Sequence, residues 1–557
     1  MAKNLNSHYF QQALLKQTKN IKHNVNGLPS SRLFSTSGFP FLNLTSTPPQ
    51  AHAYSASSHP SSATTQQAYA QQFLAASKHG KFVSQPRQST RTPVEATPLP
   101  TFPCEKSAIE RIFKQQTAAG RERAFFVNDV GVVERQYNRW CKNLPSVRPF
   151  YAVKCNPDPT LLRVLAGLGT GFDCASGEEM AACLAMGVPP SDIIFANPIK
   201  CAKDLKYAAS VGVTKMTFDN EAELYKIREY CPKAELVIRL LADDSGSKMK
   251  FGVKFGAPAV HVEGLLRTAK ALNLSVIGTS FHIGSGCMDP QAYEKAIKLS
   301  REVFDLGLAV GLPKFTFLDL GGGYPGNPIE NQRNGEYPAF EEFSAVIREA
   351  LPKYFPKEMN VEIIGEPGRY MATAWSTLFV LVQGKREEPK TPEQTKRRFL
   401  YYINDGVYGS FNSIMFDHAT PEPIPAYRFL AEKASLDRAR PASSSPYLST
   451  GVPQAMVNSM FSGALDAAPQ QSMMGARAYH TTYGRDQDCV GTFFGPTCDS
   501  MDVVAKEYAC EELFVGDWLA FAHNGAYTNA AATTFNGMPL AQRYYCRSRQ
   551  PSPDATQ

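Results

Sequence analysis

The chain carries no acidic residue before Glu95. Over that stretch it has nine Lys or Arg, which leaves 49 basic against 51 acidic residues in the rest. The net charge of +7 therefore belongs to a tail, and the remainder sits near −2. A basic pI of this origin is no argument for nucleic-acid binding by the folded part. Long apolar runs are also missing, and none reaches the ~20 residues of a membrane-spanning helix. The 12 cysteines show neither the paired spacing of zinc sites nor the density of a disulfide scaffold. They read as reduced thiols of an intracellular protein. Neither nucleic acid nor membrane is expected as a partner, and no metal site is expected.

Two segments lack the composition of a core. Residues 1–98 are rich in Ser, Thr, Gln, Pro and Ala, cannot bury enough to offset their ordering entropy, and are expected to be disordered. The same basic, Ser-rich composition is that of a mitochondrial presequence, and "SRLFSTSG" could be a processing site. Cytoplasmic location is the expectation, with mitochondrial import the alternative. Residues 439–488 are biased in the same way and read as an inserted surface loop. Residues 549–557 read as a frayed tail.

What is present between these segments is a regular alternation. Eight short apolar runs recur: "PFYAVK", "TGFDCAS", "DIIFANP", "KMTFDN", "ELVIRLL", "VIGTSFHIG", "FTFLDLGGG" and "VEIIGEPG". Stretches of helical periodicity separate them, such as "DPTLLRVLAGLG" and "NEAELYKIREYC". Eight strand–helix units predict an α/β fold, a closed (β/α)8 barrel over 137–372. After Met371 the runs "TLFVLVQG", "FLYYIND", "ELFVGDWLAF" and "QRYYCRS" predict a mostly antiparallel β domain over 373–548. Its first strands are expected within 99–136, where "RAFFVNDVGVVERQY" reads as strands joined by a turn at Asn-Asp and Gly.

Barrel enzymes place chemistry at the C-terminal strand ends. Those ends carry Lys154, Asp173, Asn197, Asp219, Arg239, His282, the glycines Gly321, Gly322 and Gly323, and Glu366. Lys154 alone reads as a snorkelling surface lysine or as a desolvated amine kept for chemistry. The three glycines read as a tight turn or as a cradle for an anion. With Ser285 in "HIGSGC" and Arg369 in "GEPGRY" they suit a phosphate. Glu366 could pair with a cation, act as a base, or face a pyridine nitrogen. Pyridoxal phosphate requires a Schiff-base lysine, a partner for its ring nitrogen and a phosphate cup. Lys154, Glu366 and the glycine cluster match those needs. His282 could stack on the ring or be a satisfied core residue.

The motifs "FYAVKCNPD", "FDCAS", "FHIGSGC", "DLGGGYPG", "GEPGRYM", "YYINDGVYGSFN", "GPTCDSMD" and "GDWLAFAHNGAYTNAAATTFNG" resemble those of the eukaryotic ornithine decarboxylase family. The likeness spans about 100–437 and 489–548. It implies the fold type III (alanine racemase-like) architecture, pyridoxal 5'-phosphate as cofactor, L-ornithine as substrate, and an obligate homodimer with active sites shared across the interface. It further implies a Schiff base on Lys154, Glu366 at the pyridine nitrogen and His282 against the ring. Ser285, Gly321, Gly322, Gly323, Arg369 and Tyr527 would hold the phosphate, with Asp173 and Arg239 around the lysine and the cofactor. Cys498 and Asp499 would enter from the other subunit, Cys498 to return a proton to the α-carbon. Asp417 and Asp499 would bind the distal ammonium of the substrate.

Three features depart from the family pattern, one of them the insertion after Pro441, which lies shortly before Cys498 and bears on the expected dimer interface. Phe416 stands beside Asp417 at the substrate end where relatives commonly have tyrosine, which leaves the chain-length preference open. Regulation through the degradation tail of some animal relatives is not expected, which leaves antizyme a partner to be tested. Lysine, arginine and diaminopimelate are the alternative substrates. Diaminopimelate would need a group for a second amino-acid head, where this chain has two acids. A catalytically inactive homologue acting by partner binding is the remaining alternative.

Overall fold

The computed structural model describes residues 99–326, 338–392, 394–436 and 485–549. The readings of 1–98, of most of 439–488 and of the tail beyond 549 fall outside the described residues. Eight parallel strands close into a barrel. They are β1 (Arg148–Ala152), β2 (Gly171–Cys174), β3 (Ile193–Phe195), β4 (Lys215–Phe218), β5 (Glu235–Leu240), β6 (Ser275–Phe281), β7 (Phe317–Asp319) and β8 (Glu362–Gly365). Each pairs with its neighbour in sequence, and β8 closes on β1 through Ile364 opposite Arg148 and Gly365 opposite Pro149. The predicted barrel and its eight strands are all present.

These strands are apolar on both faces, as buried parallel strands must be. Tyr151, Phe172, Phe195, Met216, Ile238 and Leu318 pack outward under the helices. Phe150, Ile194, Val237, Phe317 and Ile364 fill the barrel interior. Side chains alternate along a strand, so the residue two further on points inward again. From this plug the count leads to Ala152 and then Lys154 after β1, to Arg239 on β5, to Asp319 on β7 and to Glu366 after β8. The apolar plug closes the bottom of the barrel, and polar groups are left for the mouth.

The β domain is a mixed sheet built on one long strand, Ser376–Glu387. It pairs antiparallel with Phe125–Asp129, Arg397–Ile403 and Trp518–Phe521. Alternation sorts its residues onto two faces: Leu378, Val380 and Val382 on one, Phe379 and Leu381 on the other. The second face is covered by the helices Glu105–Ala118 and Ala426–Leu436.

One expectation is corrected. The stretch "VGVVERQY" is not a strand: Val130–Asn143 is an α-helix, so the segment 99–136 contributes two strands, one helix and the first half of another. Asp129 is not part of a turn but the helix cap, its carboxylate accepting the Gly131 N–H at 2.9 Å. The apolar residues Val130, Val133 and Trp140 recur at helical spacing and are fully buried. The helix after β8 is only four residues, Arg369–Ala372. Val130–Asn143 packs beside the helices Pro159–Leu168 and Phe340–Tyr354 and completes the outer ring.

Candidate active site

The mouth of the barrel holds a concave cavity. Lys154, His282, Ser285, Gly322, Gly323, Glu366, Arg369 and Tyr527 line it, together with Ala152, Tyr324 and Gly368. Eight sequence-predicted residues thus meet in one place. Asn197 and Asp219 do not: Asn197 caps its own turn, and Asp219 accepts the Gly256 N–H at 2.9 Å.

Lys154 ends β1 in a single turn of 3-10 helix, Val153–Cys155. That turn is tied to the β domain. Tyr527 N–H donates to the Cys155 carbonyl at 2.9 Å, and the Asn156 amide donates to the Gly525 carbonyl at 2.7 Å. The same bonds bring the Tyr527 ring to the cavity, at the cost of a left-handed backbone, φ 54°. Lys154 Nζ donates to Asp173, which is 1% exposed. Burial pushes the lysine pKa down, but Asp173 and Glu366 outweigh it and leave the amine firmly protonated.

Three carboxylates gather under the lysine: Asp173, Asp319 and Glu366. Burial, then Asp173 and Asp319, push the Glu366 pKa well up. Burial likewise raises Asp319 to about 7. Glu366 Oε1 is buried and takes no N–H or hydroxyl donor from the described residues; the group beside the Glu366 carboxyl is another acid, Asp319. An orphaned buried carboxylate oxygen is costly and calls for a donor. A ring N–H fits it.

His282 is neutral. Burial first, then the charges of Arg239 and Lys154, hold its pKa well below the usual histidine range. Its Nδ1 accepts the Gly284 N–H at 3.0 Å, which puts the ring proton on Nε2. Phe251 packs edge-on at 5.0 Å between centroids. Arg239 does not line the cavity; its guanidinium lies 5.2 Å from the Phe255 ring, within electrostatic reach of His282.

The glycine turn has no room for side chains. A Cβ at Gly321 (φ +60°) would lie 2.0 Å from the Phe281 carbonyl, and one at Gly323 (φ +115°) 2.7 Å from the Gly284 carbonyl. Asp319 fixes the turn by accepting the Gly321 N–H at 2.8 Å. Opposite it, Arg369 Nη2 donates to Ser285 Oγ at 3.1 Å and to Asp417 Oδ1 at 2.5 Å. Bare backbone, a hydroxyl and a guanidinium fit a phosphate. With Lys154 and the orphaned Glu366 oxygen, the residues present fit pyridoxal phosphate.

Three predicted residues lie elsewhere in the chain. Cys498 is exposed, its N–H donating to Asn536 at 3.0 Å. Asp499 accepts the Met501 N–H at 2.9 Å and the Tyr408 hydroxyl. Phe416 is 65% exposed. Asp417 lies behind Arg369 rather than on the cavity wall. Sequence reading missed Asp319, although "FLDLGGG" places it at a run-end two residues before the glycines. It also missed the pairing of Asp417 with Arg369, which no spacing announces.

Comparison with known proteins agrees with this geometry. Residues 130–373 match the family model for the pyridoxal-dependent decarboxylase, pyridoxal binding domain, and the match begins at the helix Val130–Asn143. An ornithine decarboxylase of Mus pahari is 40% identical over 451 residues, covering 80% of this chain and 85% of that protein. An antizyme inhibitor 2 of Xenopus laevis is also 40% identical, with the same coverage. Among solved structures, the arginine decarboxylase of Paramecium bursaria Chlorella virus matches 79% of this chain and 100% of its own, at 32% identity and a TM-score of 0.64.

Proposed function

The chain belongs to the pyridoxal-dependent ornithine decarboxylase family, and from that premise we propose that it converts L-ornithine to putrescine and carbon dioxide, the first step of polyamine biosynthesis. The observation that carries the reading is the meeting of Lys154, the orphaned Glu366 oxygen and the glycine–Ser285–Arg369 cup in one barrel mouth. Pyridoxal phosphate, when bound, supplies a protonated ring that accepts the electron pair left on the α-carbon as the carboxylate departs.

The chain's own residues prepare that step. Lys154 must shed a proton to act as a nucleophile, and Asp173 is the acceptor in contact with it. Glu366 would sit at the ring nitrogen, where a cationic N–H supplies the charge that restores its carboxylate. Neutral His282 can lie against the ring without opposing that charge. Ser285, Arg369, Tyr527 and the glycine N–H groups would take the phosphate. Arg239 adds positive charge behind His282.

We further propose that the active unit is a homodimer. Cys498, Met501, Phe535, Met415 and Phe416 are exposed, and the two apolar phenylalanines are large for a free surface. A second chain would lend Cys498, to protonate the α-carbon, and Asp499, to bind the distal ammonium with Asp417. Two carboxylates at that end favour a substrate with a second cation and disfavour a second carboxylate. We place the enzyme in the cytoplasm; imaging the full chain against one lacking residues 1–50 tests this, and mitochondrial signal lost on truncation would overturn it.

The deciding experiment is decarboxylation by the purified protein of ornithine, lysine, arginine and diaminopimelate. Ornithine is expected to have the highest kcat/KM, and preference for another of the four overturns the substrate. The likeness to an antizyme inhibitor supports a second reading, a non-catalytic partner of antizyme. Lys154, Glu366, His282, Arg369 and Cys498 are all retained, which favours catalysis. Purified protein without visible absorbance, even after added pyridoxal phosphate, would decide for the second reading.

A further inference from the structure

The ladder between β1 and β2 ends with Ala152 opposite Asp173, so Lys154 stands on a turn that has already left the barrel. The chain then runs Asn156-Pro157-Asp158-Pro159. Asn156 and Asp158 are 1% and 2% exposed, and neither lines the cavity. The Tyr151 hydroxyl donates to the Asn156 carbonyl at 3.0 Å, and the Asp158 N–H donates to Asn156 Oδ1 at 3.0 Å. The Asp158 carboxylate takes four donors. Its Oδ1 accepts the Thr160 and Leu161 N–H groups at 2.9 and 3.3 Å and caps the helix Pro159–Leu168. Its Oδ2 accepts the Tyr545 hydroxyl at 2.7 Å and Arg543 Nη1 at 3.1 Å. Both of these partners stand on the strand Gln542–Ser548 of the β domain. A cap needs only the first oxygen. The second joins the lysine's own loop to the other domain. Pro157 and Pro159 fix φ on either side of Asp158, so a shift of the carboxylate passes into the turn instead of being absorbed beside it.

We propose that Asp158 is a positioning residue for Lys154: by tying the turn behind the amine to Arg543 and Tyr545, it holds the amine where an incoming cofactor carbonyl must meet it. Asp158 touches neither cofactor nor substrate, and it acts through the turn Val153–Cys155. This inference rests on the reading of the cavity as a pyridoxal-phosphate site. It goes beyond that reading by assigning the last strand of the β domain a part in the capture of the cofactor by the lysine.

The test uses the full chain, freed of cofactor with hydroxylamine and then given pyridoxal phosphate. Borohydride quenching at timed intervals, followed by mass analysis of the Lys154 peptide, reads how fast the amine is fixed to the cofactor. Calorimetry with inorganic phosphate reads the cup separately. In Asp158→Asn, which keeps an acceptor for the helix N–H groups, fixation of Lys154 is expected to slow about tenfold, the scale of a small misplacement of a reacting group. Phosphate affinity should stay within about twofold of wild type, and kcat should fall with fixation while KM holds. Tyr545→Phe leaves the helix cap whole and removes one hydroxyl, and is expected to slow fixation about threefold, the scale of one hydrogen bond. If both variants only lower the melting temperature and fix Lys154 at the wild-type rate, Asp158 is a strut of the fold and the proposal is overturned. Phosphate affinity that falls in step with fixation also overturns it, because the whole mouth is then disturbed. If Lys154 of the wild type is never fixed, the cofactor reading fails instead. Should Asp158→Asn not fold, Tyr545→Phe carries the same outcomes.

Discussion

The barrel mouth and the loop surface around Cys498 carry chemistry in opposite ways. In the mouth, the carboxylates are buried, and each is fixed by a partner or by the parity of its strand. Asp173 and Asp319 are each 1% exposed, and their strands are pinned on both sides. Around Cys498 the reactive groups are exposed and held mainly by turn hydrogen bonds: Asp499 to the Met501 N–H, Cys498 N–H to Asn536. A single chain brings together the groups that fit the cofactor. The thiol that would return a proton stands on a surface that another chain must cover. Burial tunes the first set of groups, whereas assembly would tune the second.

The sharpest way to break this comparison is to disable each half in a different chain. Lys154→Ala is expected to lower turnover on the order of 10⁴-fold or more, because no other amine lines the cavity. Cys498→Ala should cost about 10²-fold through loss of a positioned proton donor. Co-expressed, the two variants should recover about a quarter of wild-type activity, since half of the random dimers carry one intact site. Activity no higher than that of Cys498→Ala alone would mean that the thiol acts within its own chain or not at all.

The mouth was far more legible in the sequence than the surface. Strand periodicity fixes which residues face inward, so Lys154, Arg239, His282 and Glu366 could be named from run-ends. Asp319 lay at such an end too, but the glycines after it drew the reading. The helix Val130–Asn143 was missed because Asn128, Asp129 and Gly131 together look like a turn. Only the buried periodicity of Val130, Val133 and Trp140 argues otherwise, and it is short. Asp417 could not be paired with Arg369 from spacing, because 48 residues separate them and the contact depends on how the two domains meet. The part proposed for Cys498 rests on motif resemblance alone, since an exposed cysteine carries no physical mark of its use.

Within the mouth, the carboxylates differ in what their burial serves. Glu366→Gln keeps the shape but cannot hold a cationic ring nitrogen, and should cut kcat about 10²-fold with little change in KM. An unchanged kcat would remove Glu366 from the ring. Asp319 lies beside Glu366 and holds the glycine turn, and its expected effect is the smallest. Its folded pKa of about 7 lies above the ordinary 3.8. The native state therefore holds a proton that the unfolded chain has lost, and stability falls as pH rises from about 4 to about 7. Above that window the buried charge persists as a fixed cost. Asp319→Asn keeps the acceptor for the Gly321 N–H and removes the charge. In cofactor-free protein at pH 8 it should raise the melting temperature by a few degrees, ~2–4 °C, and at pH 4 it should change little. A lower melting temperature at pH 8 would mean that the carboxylate is held charged by Arg239 and Lys154, and that Asp319 belongs with Asp173 as a counter-ion of the lysine.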